Sequence, residues 1–272
     1  MNALDGPNGP WPVVFLPGGV TPVGLSYAPT LAELGSDIDP LLKELEVYAG
    51  DKPAHDYSIQ SEVDGLLQMV DAADRATFHL VGFSGGGAVA LAFGAQHPER
   101  VRSLAVFEPA DVPGHWDADE RAHWASFSTA MAKVAPEQML AEFTRRQVRP
   151  GAELPRPPDG PPPPWMASRP AGLLAMMRAF ETDRSDREAL RARTMPVYLA
   201  FGLLTEAFMV HRVQILAGLL PDLWIEAYPD IHHFNPPQRS RPAHYAAALQ
   251  TLWTRADGQP LAHTAGDPTF AA

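Results

Sequence analysis

The residues whose types and spacing could do chemistry cluster first in Gly82-Phe83-Ser84-Gly85-Gly86, which fits the pattern G-x-S-x-G. The run Phe78 to Gly82 before it is apolar enough for a buried strand, and Ala88 to Phe93 after it continues as an apolar helical run. A serine at so sharp a strand-to-helix bend is held in a strained backbone conformation, and glycines at 82 and 86 let the chain pass close beside it. Its hydroxyl then stands at the carboxyl edge of the sheet, above a helix N-terminus that favours negative charge. The competing reading is a phosphate cradle or a plain strand-helix loop. "GFSGGGA" does not hold G-x-G-x-x-G in register and carries no P-loop lysine, so the pattern points to a nucleophile.

A serine hydroxyl at neutral pH attacks slowly unless a base within hydrogen-bond reach takes its proton, and histidine has the suitable pKa. Ten histidines are present and no cysteine. The missing cysteines exclude a thiol nucleophile, disulfides and thiolate metal sites. His79 lies inside an apolar strand and is expected as a packed core residue, His211 falls on a helical run, and His97 precedes Pro98. None has a metal-ligand spacing such as H-E-x-x-H, and neither a metal nor another cofactor is implied.

These groups need a scaffold, and strands alternate with helices along most of the chain. "WPVVFLPGG" reads as a strand over Val13 to Leu16 ending in a glycine turn, and "SYAPTLAELG" as a helix. A second strand is expected near Leu45 to Tyr48. A helix follows over "SIQSEVDGLLQMVDAAD", with Ser58 and Ser61 as caps and Ile59, Val63, Leu66, Leu67 and Val70 as its apolar stripe. Further strands are expected at Phe78 to Gly82, Val101 to Phe107, "PVYLAFG" and "LWIEAYP", with helices over "FMVHRVQILAGLL" and in the last segment to "TLWTRA". The alternation predicts an α/β fold with a mostly parallel sheet and helices on both faces.

Between the fourth and fifth strands the pattern changes. "DADERAHWASFSTAMAKV", "PEQMLAEFTRR" and "PAGLLAMMRAFETD" read as helices, separated by a proline-rich loop over 150–170 that fits neither regular structure. The expected organisation is a core of residues 1–109 and 195–256, a helical lid over 110–194 and a flexible tail over 257–272. The proline-rich loop is read as a rigid surface connection.

Composition narrows the partners. With 272 residues and 46% hydrophobic content the chain can bury a real core. A net charge of -11, with no cluster of Lys and Arg, argues against a nucleic-acid surface. The N-terminal residues lack a basic and an apolar region of signal-peptide type, and no membrane span of about 18 apolar residues is present. A soluble, cytoplasmic protein, monomer or homodimer, is expected.

Taken in order, "FLPGG", "GFSGG", "VRSLAVFEPA" and "YPDIHHFNPP" resemble the α/β-hydrolase superfamily, and most closely its small bacterial serine esterase-like members. The resemblance covers about Val13 to Trp253. It implies that the fold here lacks the first one or two antiparallel strands. It also implies that the catalytic histidine lies after the last strand, where His233 stands in the family's Gly-His-Phe position; His232 is the alternative. By the elbow geometry one oxyanion donor is the N–H of Gly85, and by resemblance the other is that of Gly19. Pro17 stands where relatives carry histidine.

The acid is where the sequence departs from the family. Relatives carry aspartate a few residues after the strand that here reads "PVYLAFG", but Thr205 occupies that place. Some members supply the acid from the preceding sheet strand, which points to Glu108. Pro109 is expected to hold Glu108 extended, and a glutamate directly after an apolar strand requires a partner, either the histidine or an arginine such as Arg102. Glu206, or no acid at all, are the alternatives.

The catalytic set expected is therefore Ser84, His233 and Glu108, with Gly19 and Gly85 as oxyanion hole. The resemblance implies a carboxylesterase that forms an acyl-enzyme on small to medium apolar esters. A lactonase, a carbon–carbon bond hydrolase or a non-catalytic ligand-binding member are the alternatives. The lid offers Trp116, Trp124, Phe127, Met131, Met139, Phe143, Trp165, Leu173, Leu174, Met176, Met177 and Phe180 for packing on the core and for an apolar acyl pocket.

Overall fold

The computed structural model describes residues 9–155 and 160–258. Most of the expected tail and part of the proline-rich loop lie outside the described residues. Six strands form one sheet: β1 (Trp11–Leu16), β2 (Ile38–Leu42), β3 (Phe78–Phe83), β4 (Val101–Phe107), β5 (Val197–Gly202) and β6 (Leu223–Tyr228). Their order is β2-β1-β3-β4-β5-β6, and every pair is parallel. The antiparallel strands that open the family's sheet are absent among the described residues.

Alternating side chains of the central strands enter two cores. Val14 and Leu16, Leu80, Leu104 and Val106, Val197 and Leu199 face one layer; Val13 and Phe15, Val81 and Phe83, Ala105 and Phe107, Tyr198 and Ala200 face the other. This period of two places both faces of a parallel sheet in dry packing. On the second face lie α1 (Val23–Leu34) and α9 (Pro242–Ala256), with the short α8 (Pro237–Ser240) between them. The first face holds α2 (Ile59–Ala72) and α3 (Gly85–Gln96). Ser58 and Ser61 form the expected capping box at the start of α2. Helix α3 is buried from Gly85 to Ala95, which explains why its sequence is apolar all round.

The second strand is not at Leu45 to Tyr48. It runs over Ile38–Leu42, and Glu46–Tyr48 is a 3-10 turn. Asp39 and Pro40 disguise it, because proline disfavours a strand interior; β2 is an edge strand, where a missing N–H goes unnoticed.

Between β4 and β5 the chain forms α4 (Ala118–Met131), α5 (Met139–Arg146) and α6 (Arg169–Thr182). These pack on one another, and α6 reaches back to α2 and to the turn holding Tyr48. An isolated bridge between Val148 and Thr205, with Arg149 N–H donating to Leu204 O at 2.8 Å, ties the end of α5 to the loop after β5. Helix α7 (Phe208–Leu219) follows that loop.

Candidate active site

The strand order reverses between β1 and β3, and the crevice beyond the carboxyl ends of two such strands is where open parallel sheets bind ligands. Pro17-Gly18-Gly19 leaves β1 there and Ser84 leaves β3. Ser84 has φ 52° and ψ −117°, one of three non-glycine residues with positive φ among those described. It is pinned from both sides: its N–H donates to Phe107 O at 3.0 Å, and its own carbonyl accepts the N–H of Ala110 at 2.9 Å. A Cβ on Gly82 would lie 2.5 Å from Gly86 O, and one on Gly86 would lie 2.4 Å from Pro17 O. Both glycines are thus required by close backbone approach. Pro17 itself contributes a carbonyl, which accepts Gly86 N–H at 3.0 Å and ties the β1 turn to the elbow.

Three segments converge on the serine. His233 Nε2 stands 2.9 Å from Ser84 Oγ, and His233 Nδ1 stands 2.7 Å from Glu108 Oε2. Glu108 is fully buried. Its other oxygen accepts Gly202 N–H at 2.7 Å and the hydroxyl of Thr205. The residue that occupies the family's aspartate position therefore donates to the glutamate. Glu108 is not extended: its φ is +43°, and its N–H bonds Ala200 O at 3.0 Å on the neighbouring strand. The sheet pairing and the three contacts on its carboxylate outweigh the local preference that Pro109 imposes.

The alternatives are held elsewhere. His232 is buried, its Nδ1 accepts the N–H of Phe234 at 3.0 Å, and burial lowers its pKa. Glu206 makes no hydrogen bond to His233. It accepts Phe208 N–H at 2.8 Å and meets Arg212 at 3.5 Å, with its pKa raised by burial. Arg102 reaches Asp257 rather than Glu108. His79 sits in the core as expected from its strand, bonded to Ser103 at 2.8 Å, with burial pushing its pKa down to about 3. Among the described residues no group of three or more His, Asp or Glu side chains could hold a metal ion.

The N–H groups of Gly19 and Gly85 border the same cavity as Ser84. Gly85 opens α3, where no intrahelical carbonyl exists for its N–H. Among the described residues neither N–H has a hydrogen-bond partner. Tyr48, which sequence reasoning left in a strand, donates its hydroxyl to Gly19 O at 2.5 Å and so fixes the peptide of that turn. Burial raises the Tyr48 pKa to about 12, keeping it a donor.

The cavity above the serine holds about 50 Å³. Seven of the expected lid side chains line it: Trp124, Phe127, Phe143, Leu173, Met176, Met177 and Phe180. Trp116, Met131, Met139, Trp165 and Leu174 do not, and belong to the packing of the lid itself. Met176 lies directly over the two glycines; a Cβ on Gly85 would come within 2.1 Å of its Cε. His123, Arg146, Gln147, Glu206 and Arg212 complete the lining with a polar part that the sequence did not reveal.

A family model described as the alpha/beta hydrolase fold matches residues 12–145. Over the whole chain, the structure superposes on a thermophilic esterase from Thermogutta terrifontis with a TM-score of 0.69, at 14% identity, covering 92% of this chain and 91% of that one. The chain has the α/β-hydrolase fold. The enol-lactonase from Burkholderia xenovorans LB400 gives this hydrolase-fold chain a TM-score of 0.65 at 16% identity, over 91% of this chain and 92% of that one. At such identities these likenesses show the fold alone. A stretch of 83 residues is 40% identical to the monoacylglycerol lipase abhd6-A of Xenopus laevis. That match covers 26% of this chain and spans only 25% of the relative's length. No helix among the described residues is long and apolar enough to cross a membrane.

Proposed function

We propose that the protein is a serine hydrolase, a carboxylesterase acting on small to medium esters with an apolar chain, in which Ser84, His233 and Glu108 act as nucleophile, base and acid. The observation that carries this is the unbroken line from Ser84 Oγ through the imidazole to a buried carboxylate, 2.9 Å and 2.7 Å long. Its elbow residue is serine, whereas halide displacement or epoxide opening on this fold uses a carboxylate there.

Ser84 Oγ attacks the ester carbonyl carbon while its proton passes to His233 Nε2. Glu108 fixes the tautomer with the Nδ1 proton facing its carboxylate and balances the imidazolium that forms. The carbonyl oxygen, now an oxyanion, receives the N–H groups of Gly19 and Gly85, which need no reorganisation to meet it. The C–O bond to the alcohol breaks as His233 returns the proton to the leaving oxygen, giving an acyl-enzyme. Water then enters, loses its proton to the same nitrogen, and releases the acid. The contact between Glu108 and His233 also supports a catalytic over a purely ligand-binding role, since a binding module has no need of a buried acid behind the imidazole.

The test is covalent labelling by a fluorophosphonate together with hydrolysis of p-nitrophenyl esters of graded chain length. The expected result is one label per chain at Ser84, turnover that falls off for long acyl chains, and loss of both in Ser84→Ala. A folded wild-type protein that takes no label and releases no p-nitrophenol at any chain length would overturn the proposal.

A further inference from the structure

The cavity above Ser84 is not apolar throughout. Together with Phe143 and the methionines of α6 it is lined by Arg146, Gln147, Glu206, Arg212 and His123. Arg212, on α7, is 8% exposed. Among the described residues its only hydrogen-bond contact is one at 3.5 Å to Glu206, supplemented by the ring of Phe208, whose centroid lies 5.2 Å away. A buried guanidinium has five N–H donors and requires nearly all of them satisfied. One contact at the limit of hydrogen-bond length falls well short of that.

The neighbouring carboxyls do not repair the deficit. Glu206, whose pKa is raised by burial, makes its firmest contact with the N–H of Phe208 at 2.8 Å and lies 3.8 Å from His123 Nε2. Asp111, which also feels the Arg212 charge, is pushed up to about 8 by burial and is protonated at neutral pH. His123 stacks on Phe208 with its pKa down at about 4, so it is neutral and adds no charge. Two more donors border the same cavity without partners among the described residues: Trp124 Nε1, on a side chain 7% exposed, and Gln147 Nε2. Gln147 is fixed in place by its own carbonyl, which accepts Glu206 N–H at 3.2 Å. Arg146 also lines the cavity, its charge met by the carboxylate of Glu142, which Arg145 shares.

Two buried donors without a partner, Trp124 Nε1 and Gln147 Nε2, border one cavity with Arg212, a cation whose single hydrogen-bond contact is 3.5 Å long. The group that completes them is an acceptor with negative charge and more than one oxygen. We propose that the substrate carries a carboxylate in addition to the scissile ester, bound by Arg212 with Gln147 and Trp124, so that the natural substrates are half-esters of dicarboxylic acids or esters of similar form. The apolar side chains of the same cavity pack against the chain that joins the two groups. This inference rests on the serine-hydrolase reading and names the substrate class of the same site. The carboxylate does not react; it sets the register of the ester carbonyl over Ser84.

The experiment compares ethyl hydrogen succinate, glutarate and adipate with ethyl butyrate, pentanoate and hexanoate, following acid release, on wild type, Arg212→Gln and Arg212→Lys. Fluorophosphonate labelling of the wild type is run beside it. Wild type is expected to favour the half-ester at one chain length by roughly tenfold or more in kcat/KM. In Arg212→Gln that preference falls by roughly 10- to 100-fold, chiefly through KM, and Arg212→Lys recovers part of it. Labelling with turnover of the neutral esters but no preference for any half-ester would overturn this inference and leave the hydrolase reading standing. Equal loss on charged and neutral esters in Arg212→Gln would also overturn it, since a merely structural ion pair behaves so. Should Arg212→Gln fail to fold, the wild-type comparison of charged and neutral esters decides alone. Absence of labelling and turnover alike would remove the hydrolase reading and this one with it.

Discussion

At the scale of single residues, the proposed acid, Glu108, lies one strand along the sheet from the position where the resemblance implies an aspartate. Thr205 stands at that position and donates its hydroxyl to Glu108. Glu108→Gln keeps the volume and removes the charge. It is expected to lower kcat by about 10³- to 10⁴-fold with little change in KM, since the imidazole loses both its tautomer control and its counter-charge. Single-turnover measurements on p-nitrophenyl esters read this directly, and a loss below about tenfold would mean that another carboxyl serves. The two adjacent histidines separate as cleanly. His233→Gln is expected to abolish fluorophosphonate labelling, whereas His232→Gln, at a ring bonded to the backbone of Phe234 and Glu153, should label at a rate within about tenfold of wild type. The bend at Ser84 was legible in the sequence because such strain must be written locally, as glycines at fixed offsets. The placing of Glu108 beside His233 was readable only as an anomaly, a glutamate following an apolar strand. Its partners, Gly202 and Thr205, lie more than ninety positions away, and no short-range pattern records such contacts.

At the scale of elements, the lid and the elbow press on the same small space. The free volume of about 50 Å³ over Ser84 is well under the roughly 300–1,000 Å³ of ordinary ligand sites. Substrate entry therefore requires Met176 and its neighbours to change rotamer, which an unbranched thioether does at small cost. Met176→Ala is expected to lower KM for the longer p-nitrophenyl esters several-fold and to leave acetyl ester turnover nearly as it was, with a loss of about 2–4 kcal/mol in stability from the cavity it opens. An unchanged chain-length profile would show that the methionine does not limit access. The elbow has no such slack. A methyl group at Gly86 would meet the backbone atoms Pro17 O and Leu16 C at 2.4 and 2.8 Å. Gly86→Ala should cost about 1–3 kcal/mol in denaturant unfolding and most of the activity, because the β1 turn and Ser84 can no longer close together. The strands that frame these pieces were readable where they are central and apolar. The edge strand β2 was not, since its proline is permitted only by a tertiary position that the sequence does not announce. The polar lining of the cavity escaped notice for a related reason: Gln147, Glu206 and Arg212 come from the end of α5, the loop after β5 and α7, with no common spacing.

At the scale of the whole molecule, the lid's attachment to the core includes a buried acid that makes stability depend on pH. Asp111 follows β4 and is 6% exposed. Burial pushes its pKa up to about 8 from an ordinary 3.8, against the opposing influence of Arg212 and Arg187 and of the Trp116 N–H that it accepts at 2.9 Å; the nearby Glu120 adds to the rise. Glu120 in turn is held by the two terminal guanidinium nitrogens of Arg187, at 2.9 and 3.0 Å. Because the native pKa lies above the unfolded one, the native state holds a proton that the unfolded state releases between about pH 4 and pH 8. Stability from this group is therefore complete below pH 4 and is lost as pH rises through that window, with a limiting slope of about 1.4 kcal/mol per pH unit. Asp111→Asn keeps the shape and cannot ionise. Denaturant unfolding at pH 5 and pH 8 should show the wild type losing stability across the interval while the variant changes much less and becomes the more stable of the two at pH 8. Parallel curves for the two proteins would mean that Asp111 stays ionised in the fold, and that Arg212 and Arg187 hold its charge after all. The same result would bear on the cavity, since an ionised Asp111 would hand Arg212 the counter-ion that the proposed substrate carboxylate is meant to supply.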